Sequence, residues 1–265
     1  MNVEHSAFDD RSGPLAVVLA EMEESLGRLP DRLRHHAAFL KTYHRTTRAV
    51  GKAIAGGAFE DPRWVERWDI AFAKLYLDAL QAELDRRGRV SRPWQLAFSA
   101  PADLPPLRHV LLGINAHVNY DLPQALLAVI GSDEFADSRL MDRRRRDHER
   151  LDAVLASRVR AEDQQLSVAG KALVDRLLTP VNRAASKRLL REARQKVWQN
   201  TVELNKARMI GPERYAIRLA ELEVLSAAKL ADLLRPGPVL IRLAVGGFGI
   251  TLPPPDSATR ESDAG

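Results

Sequence analysis

Gly113-Ile-Asn-Ala-His117-Val-Asn-Tyr-Asp121-Leu-Pro123 lies inside a longer apolar run from Leu107 to Ile130. Leu111, Leu112, Ile114, Val118, Leu122, Leu126, Leu127 and Val129 occupy nearly the whole circumference of a helix there. A helix that is apolar on all sides belongs in the interior of a helical domain. The segment therefore reads as a buried central helix, bent near Pro123, whose ring removes a backbone hydrogen bond and clashes with the preceding turn. Asn115, His117, Asn119 and Asp121 interrupt it. An unpartnered neutral polar group in such surroundings costs roughly 2–7 kcal/mol, so each needs a partner. Residues i and i+4 share a helix face, so His117 and Asp121 are spaced to converge on one divalent cation, as the paired histidines of helical zinc proteases do. The same spacing also lets the carboxylate accept the ring N–H with no metal present.

Outward from this run the chain reads helix after helix. Pro14 to Gly27 carries apolar residues at helical spacing between a starting proline and a closing glycine. Asp31 to about Ile54 follows and stops at Gly56-Gly57. Asp61-Pro62 supplies an N-cap and a first-turn proline. The helix after it runs to Gly88 with Trp64, Trp68, Phe72, Leu75, Tyr76 and Leu80 as an inner stripe. Ser91 to Pro106, with four prolines, reads as a loop pinned by Trp94 and Phe98. Later helices span Glu134 to about Ala161, a short one ending at Leu178, then Pro180 to Ile210 and Pro212 to Leu234. The glycine-broken apolar stretch from Val239 to Ile250 reads as a packed tail or a final short helix. No strand-like alternation persists. The expected fold is all-α, a single bundle-like helical domain over residues 1–252 with a disordered tail at 253–265.

The 265 residues are 45% hydrophobic and 28% charged, a globular composition long enough for a sizeable core. There is no cysteine, so disulfides and thiolate zinc sites are excluded and any metal must take His, carboxylate, amide or water ligands. No signal-peptide pattern and no apolar stretch of spanning length is present, which gives the expectation of a cytoplasmic protein. The net charge of +5 and the run Arg143 to Arg146 come without a nucleic-acid-binding motif, and a solvated helix face is the default reading of such a run.

A second His-x-x-x-Asp pair, His148 and Asp152, follows one helix downstream, with Asp147 beside it. Facing antiparallel helices would bring the two pairs together, as bundle metal sites do. The charged surroundings equally suit a solvent-facing His148. Asp69 sits in the aromatic stripe of Trp64 to Tyr76, where a carboxylate needs a cation or donors. His44 is a similar candidate, while His35, His36 and His109 carry no constellation.

These residues together form a pattern. Phe39…Tyr43…Thr46, Phe59-Glu-Asp61-Pro-Arg-Trp64, Asp69…Phe72…Tyr76, Trp94…Ala97-Phe98 and Leu112 to Pro123 resemble a bacterial family, frequent in actinobacteria, known as domain of unknown function 5995. The resemblance is clear over the N-terminal half and weaker to about Leu234. It assigns no reaction, but in that family the position of His148 is often aromatic and the neighbouring Asp usual, which implies Asp147 as the inward group. The chain is also distantly similar to zinc-dependent phospholipases C and single-strand nucleases, all-α enzymes with two such paired helices and an earlier Asp and His. On that similarity His117, Asp121, His148 and Asp152 would be the paired ligands, with Asp69 and His44 as the earlier ones. The departures are an ordinary Met-Asn-Val start and too few inward histidines for three metals.

Two expectations follow. In the first, a divalent metal held by His117, Asp121 and Asp69 or Asp147 activates water in a hydrolase or lyase. Asn115 and Asn119 would orient a small-molecule substrate, Tyr76 or Tyr120 would donate a proton, and the arginine run would favour an anionic substrate. In the second, the chain is a non-catalytic helical protein with a hydrogen-bonded polar network, a basic face that binds a partner and no metal.

Overall fold

In the computed structural model the described residues are 13–166 and 180–255, apart from the side chains of 152, 153, 155–190 and 240. They are helical throughout, with no strand among the described residues. Helix α1 (Pro14–Gly27) is followed by a 3-10 turn (Asp31–His36), α2 (Ala37–Ala55), α3 (Pro62–Asp85), α4 (Arg92–Phe98) and α5 (Pro106–Ala116). A π-helical turn (His117–Asp121) joins α5 to α6 (Leu122–Val129). After a 3-10 turn (Glu134–Ala136) come α7 (Ser138–Leu166), α8 (Pro180–Ile210), α9 (Pro212–Leu234) and α10 (Val239–Gly246). The short helix expected before Leu178 and the tail beyond Pro255 lie outside the described residues.

The α5–π–α6 rod is the axis of the molecule, in contact with α2, α3, α4, α8 and α9. One continuous hydrophobic cluster draws residues from every helix of the list, from Val18 in α1 to Leu243 in α10. The central position expected of the Leu107 to Ile130 run is thus observed, with a correction to its form. Pro123 cannot donate to the carbonyl of residue 119, and its ring crowds that carbonyl. The backbone widens just ahead of it, and Leu122 N–H bonds to His117 O across five residues instead of four.

A second correction concerns Arg92–Phe98, expected as loop and observed as helix α4. Pro93 sits in its first turn, where a missing N–H loses nothing, and Pro93, Trp94, Ala97 and Phe98 are all buried. At the start of α3, Asp61 caps the helix as expected, its Oδ1 accepting Trp64 N–H at 3.0 Å.

The crossing of α5 over α2 depends on Gly113. A Cβ at this position would lie 2.4 Å from two atoms of the Phe39 ring. A packed ring has no free end to swing away, so Gly113→Ala is expected to lower stability by about 1–3 kcal/mol, measured as a shift in urea midpoint at unchanged m-value.

Candidate functional site

The π turn presents His117 and Asp121 to the core, each only 2% exposed. His117 Nδ1 lies 2.8 Å from Asp121 Oδ2, and Trp94 Nε1 donates to the same oxygen at 2.8 Å. Because that oxygen already accepts from the indole, it is the acceptor for the imidazole as well. Nδ1 therefore carries the proton, and the lone pair of the ring is at Nε2. Burial pushes the His117 pKa down, opposed by the bond to Asp121. Burial pushes Asp121 up, opposed by His117 and Trp94.

Aromatic side chains enclose the imidazole. Phe72 from α3 stacks on it with centroids 3.5 Å apart and planes within 6°. Tyr43 from α2 meets it edge-on at 4.6 Å, and Tyr76 and Trp94 approach at 5.9 Å. Among these rings, polar atoms are left over. His117 Nε2, the Tyr76 hydroxyl and Asp69 Oδ2 are buried with no hydrogen-bond partner, while the Tyr43 hydroxyl is served by Thr47 one turn along α2. Asp69 is 3% exposed, and burial, with Glu66 nearby, raises its pKa to about 7. Burial likewise raises both tyrosines, and Tyr43 feels the charges of Asp69 and Asp121.

Asp121 and Trp94 line a groove of about 390 Å³ that also includes Asp78, Arg89, Ser91, Tyr120, Gln124 and Glu223, whereas His117, Asp69, Tyr43 and Tyr76 are buried behind it and do not line it. This volume is within the range of small-molecule sites. Glu223 closes one wall, accepting Arg89 Nη2 and the Arg92 N–H, both at 2.9 Å.

The other candidates are placed elsewhere. Asp147 is fully buried but accepts Glu60 N–H at 2.8 Å and Asp61 N–H at 2.7 Å, with Arg150 at 3.0 Å. Its carboxylate secures the approach to α3 and is not free for a cation. His148 is 1% exposed and not solvent-facing. It meets Trp68 and Trp198, while His117 stacks on Phe72. The side chain of Asp152 lies outside the described residues. His44 pairs with Glu23 of α1 at 3.1 Å. Asn119 donates to Asn115 Oδ1 at 2.9 Å and to Phe248 O at 3.1 Å, so both amides are committed to packing. Of the candidates, His117, Asp121 and Tyr76 are brought together, and Asp69 is linked to them through Tyr43, which feels its charge. Among the described residues no three His, Asp or Glu side chains gather to hold a metal ion. Asp121 binds the far nitrogen of His117 rather than sharing a cation with it.

The arginine run is engaged in pairing at three of its four residues. Arg144 binds Asp61 and Glu134 and lies over Trp64, Arg145 binds Glu149 at 3.0 Å, and Arg146 binds Glu60 at 2.9 Å. It lines no part of the groove.

Two groups of residues escaped the sequence reading. Tyr43 and Thr47 carry the spacing i and i+4 of one helix face, which with Asp69 could have signalled them. His35, His36 and His109 are brought together only by tertiary packing, with the rings of His35 and His109 4.6 Å apart. Burial, together with its two neighbouring histidines, lowers His36 to about 3. A histidine depressed in the folded state takes up its proton first on unfolding, so its contribution to stability is lost as pH falls below about 6.5. Phe39, Tyr76, Trp94 and Phe98 surround His36. His36→Phe is therefore expected to fold and to gain on wild type as the medium is acidified, by roughly 3 kcal/mol at pH 4, followed by urea unfolding across the pH range.

The sequence pattern of the family of unknown function DUF5995 matches residues 15–236, the whole of the site included. The chain belongs to this family. No curated protein and no solved structure matches it. Within the DUF5995 chain no helix among the described residues is long and apolar enough to cross a membrane.

Proposed function

We propose that this DUF5995 protein is an enzyme that moves protons on a small polar molecule, in a hydrolytic or elimination reaction. The reading rests on one observation: three buried polar atoms within one aromatic cluster, His117 Nε2, the Tyr76 hydroxyl and Asp69 Oδ2, have no hydrogen-bond partner. A network kept for structure alone is normally satisfied. Groups left open in one place are those with which an active site meets its substrate. His117, oriented by Asp121 and Trp94, offers the Nε2 lone pair as base. Asp69, with a pKa raised to about 7, holds a proton that it can give up near neutrality. The Tyr76 hydroxyl donates a hydrogen bond to developing negative charge, and the groove lined by Asp121 and Trp94 adjoins the cluster on the Nδ1 side of the ring.

Among the described residues the donor set does not fit a resident metal centre of the phospholipase type, because no three His, Asp or Glu side chains gather there. No step is assigned to one. The near-complete burial of His117 and Asp121 favours the second reading, a purely structural pair.

The test compares wild type with His117→Gln and Asp69→Asn against chromogenic esters, phosphoesters and glycosides, and in thermal shifts with a mixture of small metabolites. Turnover or a ligand-induced rise in Tm for wild type, absent in both folded variants, is the expected result. No response from wild type, with both variants folded, supports the structural reading.

A further inference from the structure

Residues 247–253 follow α10 as a non-helical strap lying beyond the family match, and two asparagine side chains hold its backbone. Asn119 Nδ2 donates to Phe248 O at 3.1 Å, and its Oδ1 accepts Ile250 N–H at 3.3 Å. One step along, Asn200 Nδ2 donates to Ile250 O at 3.0 Å, and its Oδ1 accepts Leu252 N–H at 2.8 Å. Each carboxamide thus offers one donor and one acceptor to alternate residues, as a neighbouring strand would. The side chains of the same residues anchor the strap. Phe248 enters the main core, and Leu252 completes a second cluster with Leu127, Leu204 and Leu222. Gly249 allows the close approach to α8, since a Cβ there would stand 2.8 Å from Ala193 Cα.

The first rung of this ladder, Asn119, is the middle residue of the π turn. Such turns are rare departures from the α-helix and persist where surrounding contacts hold them. Pro123 supplies one constraint from the C-terminal side, and the strap supplies another by gripping the side chain at the centre. We propose that residues 247–253 are a positioning element for the His117–Asp121 pair. Docking of the strap keeps Asn119 drawn out and the turn in π register. Its release lets the turn relax and separates the imidazole from its carboxylate. The inference concerns the geometry of the pair and stands whether or not the pair is catalytic.

The test uses the full chain with two variants, Asn200→Ala and Gly249→Ala. Neither side chain is hydrogen-bonded to the turn. The first removes a rung, and the second pushes the strap off the backbone of α8. Amide exchange at Ile250, whose N–H is bonded to Asn119, reports release in both variants, and the imidazole nitrogen resonances of His117, with its bonded Nδ1 proton, report the pair. The expected result is exchange faster by about tenfold or more, accompanied by displaced His117 resonances and loss of the protected Nδ1 proton. Faster exchange with unchanged His117 signals overturns the proposal. Unchanged exchange in both variants also overturns it, since the ladder then does not hold the strap. Should one variant fail to fold, the other decides.

Discussion

Asp69→Asn is expected to stabilise the folded protein at pH 8 by up to about 4 kcal/mol, and to leave stability near pH 4 almost unchanged. The sign follows from the direction of the shift. Burial raises the Asp69 pKa to about 7 in the folded chain, whereas an unfolded aspartate ionises near 4. Between these values the unfolded state has lost a proton that the folded state keeps. Stability therefore falls as pH rises through this window, and an uncharged amide removes the loss. The amide also keeps the size of the side chain. Chemical denaturation of both proteins from pH 4 to pH 8 measures the effect. An equal difference at all pH values, or a less stable variant at pH 8, would show that Asp69 is paired and ionised in the native state. A stabilising substitution at a buried carboxylate is the signature of a group retained for function.

Asp121→Ala should do the reverse, destabilising by about 3–5 kcal/mol, because it leaves two buried donors without an acceptor. These are His117 Nδ1–H and Trp94 Nε1–H, both now bonded to Oδ2. The measurement is the urea midpoint, with Trp94→Phe as a companion. That variant removes one donor and leaves the His117–Asp121 bond in place, so its loss should be smaller. A loss of similar size in both would assign the stability to the indole packing rather than to the carboxylate. Two aspartates on adjoining elements, both nearly inaccessible, are thus expected to give opposite responses. The difference is that one is bonded twice and the other not at all.

The helical architecture was readable because its signals are local. Pro14, Pro62, Pro180 and Pro212 all open helices, and the all-round apolar pattern of Leu107 to Ile130 marked the axis of the molecule. Helix α4 escaped because its prolines look like loop punctuation when the burial of Trp94 and Phe98 is unknown. The His117–Asp121 contact was also legible, since spacing along one segment fixes it. The partners of Asp147 were not. Its carboxylate bonds to backbone amides some 86 and 87 residues away, and amides carry no sequence signature. The clustering of His109 with His35 and His36 was hidden for the same reason, since His109 comes from α5 and the other two from the 3-10 turn.

The strap has a practical consequence for anyone dividing this chain. The family match ends at residue 236, yet Leu243, Phe248 and Leu252 beyond it are nearly inaccessible parts of the interior. A fragment cut at that boundary would carry two open sockets, one in the main core and one among Leu127, Leu204 and Leu222. Sockets of this kind invite self-association through the apolar surface laid bare. The segment that makes the chain recognisable as a relative is thus shorter than the segment that completes its interior, and laboratory boundaries belong after Pro253.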